Sequence, residues 1–481
     1  MASIQQHLSS LFVENKAFWG DTDTSILSSL RAQGMEKLSL LLPQMKKKDS
    51  FMKKLQSEEI LSRNLVFQGD STEAQIFHCE VDNLDTYQLF LQNGHIQNTI
   101  SNSPATNMQG LVVCSFAQAL QTHAAIMETY LGRLSEHTNK TNQEYVDANP
   151  SAPMGDNQNL QIDAARVAMN DAFLQDGIFI YLPKGLHLDK PLQLIHLCNA
   201  PGKSLLQGRC LLVMEDHTDL TLIQCTDSNQ TADAWVNALT EIYLGDYAHL
   251  EYHSMQNLNN VCSLYNTLYL LQNKASKADI FSVSLNGGKI ANYQEAWLKG
   301  EGAIANLLGL YLMDKSQEVE NIVKVNHEAP NCQSQQLFKG ILDDSAKGFF
   351  NGHVKVEKAA QKTEAFQNNK NLLLTAKAKF ITQPFLEIYA DDVKCSHGAT
   401  VGQLDEEALF YMRARGISQA QARRLLMYAF TDEIIRRVSI DALRTQLQIL
   451  IKKRLSGQLS ACEQCVLHCG EGESICASEL D

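Results

Sequence analysis

The sequence predicts a mainly β protein in which a long β-rich region, residues 173–398, lies between two helical regions. The central region consists of many short runs of aliphatic, aromatic and β-branched residues separated by Gly, Asn and Asp, as at 178–182, 210–214 and 281–285. The flanking regions space their apolar residues three or four apart, which is typical of helices. Many short strands can form a sandwich, a barrel or a solenoid, and periodicity does not choose among these three folds.

Residues 1–172 are predicted to be mostly helical with one small β element. Short alternating segments between 75 and 99, with a turn at Asn93 and Gly94, predict the β element. The polar stretch 136–161 interrupts the helical pattern and predicts a mobile loop. Helical spacing is clearest before residue 65, at Ile26, Leu27, Leu30, Leu38 and Leu41.

Residues 399–460 predict a helical domain with clear start and stop signals. Asp405 is expected to cap a helix that runs through Arg415 and stops at Gly416, and Ser418 with Gln421 predicts a capping box for the next helix. The arginines of this region form either solvated helix faces or the charged rim of a docking surface for another protein. The second helix is predicted to carry an apolar stripe made of Ala422, Leu425, Leu426, Ala429 and Phe430.

The composition limits the possible classes of function. The chain has 481 residues, a formal net charge of -13 and 12 cysteines, and this acidity argues against a nucleic-acid-binding protein. The first residues resemble neither a signal peptide nor a transit peptide, and no run approaches the roughly 20 apolar residues that cross a bilayer. The cysteines form no compact disulfide framework, so we expect a cytoplasmic protein with reduced thiols that does not act in a membrane.

The candidate metal-ligating residues are Cys395 and His397, at the junction of the β region and the C-terminal helices. A thiol and an imidazole two residues apart share one face of a strand and suit a thiophilic ion such as iron, with the acid pair Asp391 and Asp392 nearby. The alternative is structural, with a buried cysteine and a turn histidine before Gly398.

A second group of cysteines lies in the predicted tail, residues 461–481. Its members are Cys462, Cys465, Cys469 and Cys476. With His468 their spacing suits zinc or an iron–sulfur cluster, and a redox or persulfide role is a further possibility. A tail of reduced thiols without a ligand is the structural alternative.

One nucleotide-binding motif fails on inspection. Gly202, Lys203 and Ser204 match the end of a phosphate-binding loop, but that motif requires a glycine where this chain has Leu197. The sequence therefore predicts that this chain does not bind ATP.

Four segments resemble a known protein family in their amino-acid sequence and in their order along the chain. They are residues 326–334 (NHEAPNCQS), 348–354 (GFFNGHV), 360–374 (AQKTEAFQNNKNLLL) and 387–417, in which 391–399 reads DDVKCSHGA. These segments resemble those of the SufB/SufD family of scaffold subunits in the SUF iron–sulfur cluster assembly machinery. Residues 391–399 fit the SufD branch of the family better than its SufB branch.

The resemblance implies a non-enzymatic scaffold whose core, residues 173–398, is a right-handed parallel β-helix. It implies two partners, a SufB-like paralogue and a SufC-like ABC-type ATPase that docks on residues 399–460. A transient iron–sulfur cluster or iron would form at the interface between the paired scaffolds, with His397 as the ligand from this chain and Cys395 as a secondary candidate. A flavin has been associated with such complexes, but nothing here identifies a flavin site. The residues implied for ATPase docking are Arg413, Arg415, Leu425, Leu426 and Phe430.

Two functions of other classes stay open at this point. One is a thiol or persulfide redox protein, or a metal-binding protein, that acts through the cysteine tail. The other is a β-solenoid interaction protein without a metal role.

Overall fold

The computed structural model describes residues 2–16, 19, 24–42, 64–65, 84–97, 110–138, 154–200 and 202–456. The tail cysteines, at 462–476, lie outside these residues. The described helices are α1 (Ala2–Asn15), α2 (Ser25–Leu41), α3 (Phe116–Thr122), α4 (Ala124–Tyr130), α5 (Met154–Ala172), α6 (Glu406–Ala414), α7 (Gln419–Ile435) and α8 (Asp441–Leu455). None of the helices in these ranges is long and apolar enough to cross a membrane.

Twenty strands form two long sheets. They are β1 (Asn64–Leu65), β2 (Tyr87–Gln92), β3 (His95–Ile96), β4 (Val112–Ser115), β5 (Ile178–Leu182), β6 (Leu192–Cys198), β7 (Lys203–Met214), β8 (Asp219–Ser228), β9 (Asp233–Leu244), β10 (His249–Asn257), β11 (Ser263–Gln272), β12 (Lys277–Asn286), β13 (Lys289–Leu298), β14 (Ile304–Met313), β15 (Glu318–His327), β16 (Gln333–Leu342), β17 (Lys347–Val356), β18 (Thr363–Leu373), β19 (Lys379–Ile388) and β20 (Val393–Gly402).

The connection pattern of these strands is that of a parallel β-solenoid. From β5 onwards the odd-numbered strands pair in parallel in one sheet and the even-numbered strands in the other. Each coil therefore contributes one strand to each sheet, here called the odd and the even sheet. The fold class predicted from the sequence is confirmed, and the solenoid is the correct choice among the three β architectures.

The corners that lead from the odd to the even sheet explain why the coils stack in register. Seven of the eight corners, all but the one between β19 and β20, contain one residue with a positive φ. It is a glycine at Gly185 and Gly302 but a larger residue at positions such as His217, Tyr247 and Asn331. A single left-handed residue turns the chain sharply, so the next strand starts at the same height in every coil. The strands between β7 and β20 accordingly pair over about ten residues each.

The predicted small β element is present at the N-terminal end of the solenoid. Strands β2 and β3 form an antiparallel hairpin whose turn residues Asn93 and Gly94 both have positive φ, as a tight hairpin turn requires. The loop predicted at 136–161 is only partly within the described residues. Its end is helical, because α5 starts at Met154. The polar first half of α5 continues into a second half whose Ala165, Ala168 and Ala172 are buried against the solenoid.

Helices cover the outer faces of both sheets over the middle coils. On the odd sheet, α5 is held by the guanidinium of buried Arg209, which lies 2.8 Å from Asp171 and 2.7 Å from Glu241. On the even sheet, α7 and α8 pack over outward-facing apolar residues of β8–β16, including Phe281 and Leu310. The last coil, β19 and β20, lies beyond this cover.

Candidate functional site

The last coil of the solenoid is an open end. Strands β19 and β20 are the final members of the odd and even sheets, so among the described strands each has a ladder partner on one side only. Two free strand edges therefore lie next to each other. Exposed backbone N–H and C=O groups of this kind favour pairing with another chain.

Cys395 and His397 lie on β20 and face the same side of it. Their partners in the ladder are Ala365 and Gln367 of β18, both of which are fully buried and face the solenoid interior. In a strand, alternate residues share a face. Both candidate ligands thus continue the inner wall of the solenoid at the coil where that wall ends.

The environments of the two candidate ligands differ. Cys395 is half-buried against a small apolar cluster that includes Val354 and Ala390, whereas His397 is exposed. Burial raises the pKa of the Cys395 thiol, and a hydrogen bond with the backbone of Ala365 offsets part of that rise. Cys395 is therefore mainly a neutral thiol near pH 7 and must lose its proton to bind a metal ion as a thiolate.

Gln367 is a residue of this site that sequence reasoning missed. Its amide nitrogen donates to Gln336 Oε1 at 2.6 Å, and its own Oε1 is buried without a hydrogen-bond partner among the described residues. The side chain lies one coil below His397, in ladder register with it. A free acceptor beside an imidazole can receive one ring N–H and leave the other ring nitrogen for a ligand. Only alignment of successive coils would have revealed this stack from the sequence.

Asp391 and Asp392, which are near Cys395 and His397 in the sequence, lie at a corner of the coil and not beside His397. Asp391 and Asp392 are exposed in the turn before β20, where the backbone of Asp392 bonds to Gln361 and Lys362 of the preceding turn. Five residues of extended chain place the Cα atoms of Asp392 and His397 roughly 16 Å apart. The pair therefore fixes the corner of the coil and does not share a ligand set with His397.

The described residues contain no group of three or more His, Cys, Asp or Glu side chains placed to hold a metal ion. Cys395 and His397 are thus two potential ligands at an open edge. The remaining ligands of a four-coordinate centre would have to come from outside the described part of the chain.

The residues predicted for partner docking divide into two groups. Arg413, Arg415 and Leu425 are exposed, whereas Leu426 and Phe430 are half-buried and pack towards the solenoid with the rest of the α7 core. The predicted apolar stripe on α7 is wrong in its orientation, because Ala429 is exposed. The fully buried residues of α7 are Ala422, Met427, Thr431, Ile434 and Ile435.

Two aromatic residues on α6 are exposed, as are Arg413, Arg415 and Leu425. Phe410 is 74% exposed and Tyr411 58% exposed, and the Arg415 guanidinium lies 4.6 Å from the Tyr411 ring centre. We call Phe410, Tyr411, Arg413, Arg415 and Leu425 the α6–α7 patch. Exposed apolar side chains together with arginines have the chemistry of a protein interface.

The last coil also exposes apolar side chains on its outer face. On β19, Ile381 and Phe385 face outwards, and the exposed Tyr389 follows directly after the strand. Ile381 is 58% exposed. In the middle coils such positions lie under helices. The open end thus combines two free strand edges, a candidate ligand pair and an exposed apolar strip.

Most of the chain matches two domains of one known protein family. Residues 2–194 match the SufBD protein N-terminal region, and residues 196–430 match the SufBD core domain of the SUF system for iron–sulfur cluster assembly. These matched ranges include the whole solenoid, the candidate site and most of α7.

Individual relatives agree with these family matches. An iron-sulfur cluster assembly SufBD family protein of Synechocystis is 33% identical over 298 residues, which cover 60% of this chain and 65%, just under two thirds, of that protein. The SufD protein of Escherichia coli is 31% identical over 65% of this chain and 78% of its own length. The SufD protein of Bacillus subtilis is 26% identical over 71% and 76%. The chain therefore belongs to the SufBD family of the SUF iron–sulfur cluster assembly system.

Proposed function

We propose that this chain is a non-enzymatic scaffold subunit that pairs with a SufB-like paralogue through its last coil. The observation that carries the proposal is the open solenoid end, where two adjacent strand edges and an exposed apolar strip meet. A second solenoid with an equivalent end would continue both ladders, and its outward-facing side chains would pack beside Ile381 and Phe385.

The cargo at this interface is iron or a nascent iron–sulfur cluster, with His397 as the ligand from this chain. Its imidazole is exposed at the open edge, and imidazole nitrogen is a suitable ligand for iron. The partner supplies the remaining ligands, including sulfur. Cys395 is a secondary ligand, because binding of its half-buried thiol requires loss of a proton that burial disfavours.

The ATPase partner docks on the α6–α7 patch. This chain leaves nucleotide binding to that partner, and the local structure at Gly202, Lys203 and Ser204 supports this part of the proposal. Lys203 and Ser204 start strand β7, whereas a phosphate-binding loop leads into a helix whose N-terminus holds the phosphate.

The described cysteines are free thiols, which agrees with a protein that functions in a reducing cytosol.

The proposal is tested by co-expression of the full chain with SufB-like and SufC-like partners, followed by anaerobic purification and assay of iron and sulfide. The wild-type complex should contain both elements. His397→Ala should form the complex but lose most of the cargo. Ser396→Ala is the matched control, because Ser396 is exposed on the same strand but faces the opposite side.

Two results would contradict the proposal. Failure of the wild-type chain to co-purify with either partner would remove the scaffold assignment. Equal cargo in the wild type, His397→Ala and Ser396→Ala would leave the assignment but remove the ligand role of His397. Deletion of 462–481 in the same assay tests the alternative that the cysteine tail carries the cargo.

A further inference from the structure

A cluster of three polar side chains lies on the outer face of the odd sheet at its open end. His353 belongs to β17, Glu387 belongs to β19, and Tyr389 follows β19 directly. Val354 and Leu386, which neighbour the first two residues along the strands, pack in a small apolar cluster inside the solenoid. His353 and Glu387 therefore face outwards, because successive residues of a strand point to opposite sides. We call His353, Glu387 and Tyr389 the His353 cluster.

Three donor atoms of this cluster converge on one carboxylate. Oε2 of Glu387 lies 3.2 Å from His353 Nε2, and Oε1 accepts a hydrogen bond from the Tyr389 hydroxyl. The His353 and Glu387 side chains are only 18% and 13% exposed, whereas Tyr389 is 53% exposed. The Phe385 ring meets the imidazole edge to face, with 5.0 Å between the ring centres. Two of the three groups are thus held in place by packing, and the third opens to solvent.

The charge of the cluster favours a cation. Burial alone would raise the pKa of Glu387, but its two hydrogen-bond partners lower that pKa below the usual value. Its carboxylate is therefore ionised at neutral pH. Two lysines flank the cluster in the neighbouring strands, and each makes a contact of its own. Lys355 pairs with Glu357 at 2.7 Å, and the Lys324 ammonium lies 5.4 Å from the centre of the Tyr293 ring.

The donor set of the His353 cluster suits iron. Imidazole nitrogen and phenolate oxygen are both iron ligands in proteins, and carboxylate oxygen joins imidazole in non-haem iron sites. Neighbouring ligands about 2.1 Å from one metal ion lie about 3 Å apart. The 3.2 Å between His353 Nε2 and Glu387 Oε2 therefore matches two such ligands without any movement of the strands.

We propose that the His353 cluster binds ferric iron, at a site separate from Cys395 and His397. His353 binds through Nε2 as the neutral tautomer with its proton on Nδ1. The Tyr389 hydroxyl loses its proton to solvent as its oxygen bonds to the ion, and the iron stays ferric, so no reductant or oxidant takes part. Water completes the coordination shell.

The two sites lie on different sheets and different faces. The His353 cluster faces outwards from the odd sheet, whereas Cys395 and His397 face the interior from the even sheet. Every protein ligand of the proposed site belongs to this chain. The inference therefore does not rest on the proposed pairing with another scaffold, and the isolated full chain is sufficient to test it.

The test is titration of the metal-free full chain with ferric citrate, after its accessible thiols have been alkylated so that they cannot reduce the iron. A tyrosinate-to-iron charge-transfer band should appear in the visible spectrum and saturate. Tyr389→Phe should abolish the band, and Glu387→Gln should weaken iron binding roughly tenfold or more. Tyr247→Phe is the matched control, because Tyr247 is 49% exposed at a distant corner, and it should keep the band.

His397→Ala distinguishes the proposed site from the candidate cluster site. It should keep both the band and the affinity for iron, and loss of the band in this variant would overturn the inference. So would the absence of a band in the wild type, a band that survives Tyr389→Phe, or unchanged affinity in Glu387→Gln. Tyr389→Phe removes one hydroxyl from an exposed ring, and an unchanged thermal midpoint would confirm that this variant folds.

Discussion

The outer face of the odd sheet changes character along the solenoid. In the middle coils the outward-facing residues Trp235, Tyr265 and Ala291 are buried beneath α1, α2 and α5. In the last coil the outward-facing Ile381, Phe385 and Tyr389 are of the same apolar and aromatic type, yet Tyr389 is 53% exposed. The two regions thus carry similar side chains, but among the described residues only the middle coils are covered by helices. This difference supports the proposal that another chain covers the last coil.

The largest expected effect lies in the covered region. Arg209→Met should lower the free energy of unfolding by about 3–5 kcal/mol, because it removes the guanidinium that pairs with both buried carboxylates, Asp171 and Glu241. Denaturant unfolding followed by circular dichroism measures this loss. Lys394→Met removes the exposed pair with Glu364 at the open end and should leave the free energy of unfolding almost unchanged, because solvent screens this pair. Equal losses in the two variants would break the comparison between covered and open coils.

A change on the uncovered face should affect association and leave folding nearly intact. Phe385→Ser should weaken binding of the SufB-like partner roughly ten- to hundredfold, as loss of an aromatic interface anchor does. Its thermal midpoint should stay close to that of the wild type, because Phe385 is exposed on its outward side. Titration by biolayer interferometry measures the affinity. A variant that binds normally but unfolds at lower temperature would mean that Phe385 serves the fold.

The smallest effect concerns pH and the middle coils. His249 lies between Asp219 and Asp279, and its hydrogen bonds to these carboxylates raise its pKa to about 9. A raised histidine pKa adds stability that is complete below about 6.5 and is lost as pH rises through 9. Because the site is about one-third exposed, solvent screening limits this loss to about 1 kcal/mol. Unfolding curves at pH 6.5 and 9.5 should show it in the wild type and not in His249→Gln. A loss of equal size in His249→Gln would assign the pH dependence to other groups.

The same contrast explains which parts of the fold could be predicted. Strand β13 is buried at all ten positions, so its sequence has no alternation that would reveal an inner and an outer face. Strand β18, near the open end, alternates visibly between buried and accessible residues. Element type was therefore predictable from the residues, whereas the solenoid arrangement followed from the family resemblance. The hairpin at Asn93 and Gly94 and the cap at Asp405 were predictable because their signals are local.

The candidate site was predictable to a smaller extent. The shared face of Cys395 and His397 follows from their spacing on one strand. The stack of Gln367 beneath His397 requires the register between coils, which a single sequence does not contain. The direction of the α7 stripe depends on how the helix lies against the sheet. There Lys339 bonds to Phe430 O and draws that side of α7 towards β16.

The central claim is that the last coil is where this chain meets its paired scaffold. Amide hydrogen exchange of the full chain, alone and with the SufB-like partner, tests this claim most directly. Protection should increase in β19 and β20, whose outer edges pair with no other described strand, and should stay unchanged in the buried strands β9–β13. Unchanged exchange in β19 and β20 on formation of the complex, with new protection elsewhere, would contradict the account.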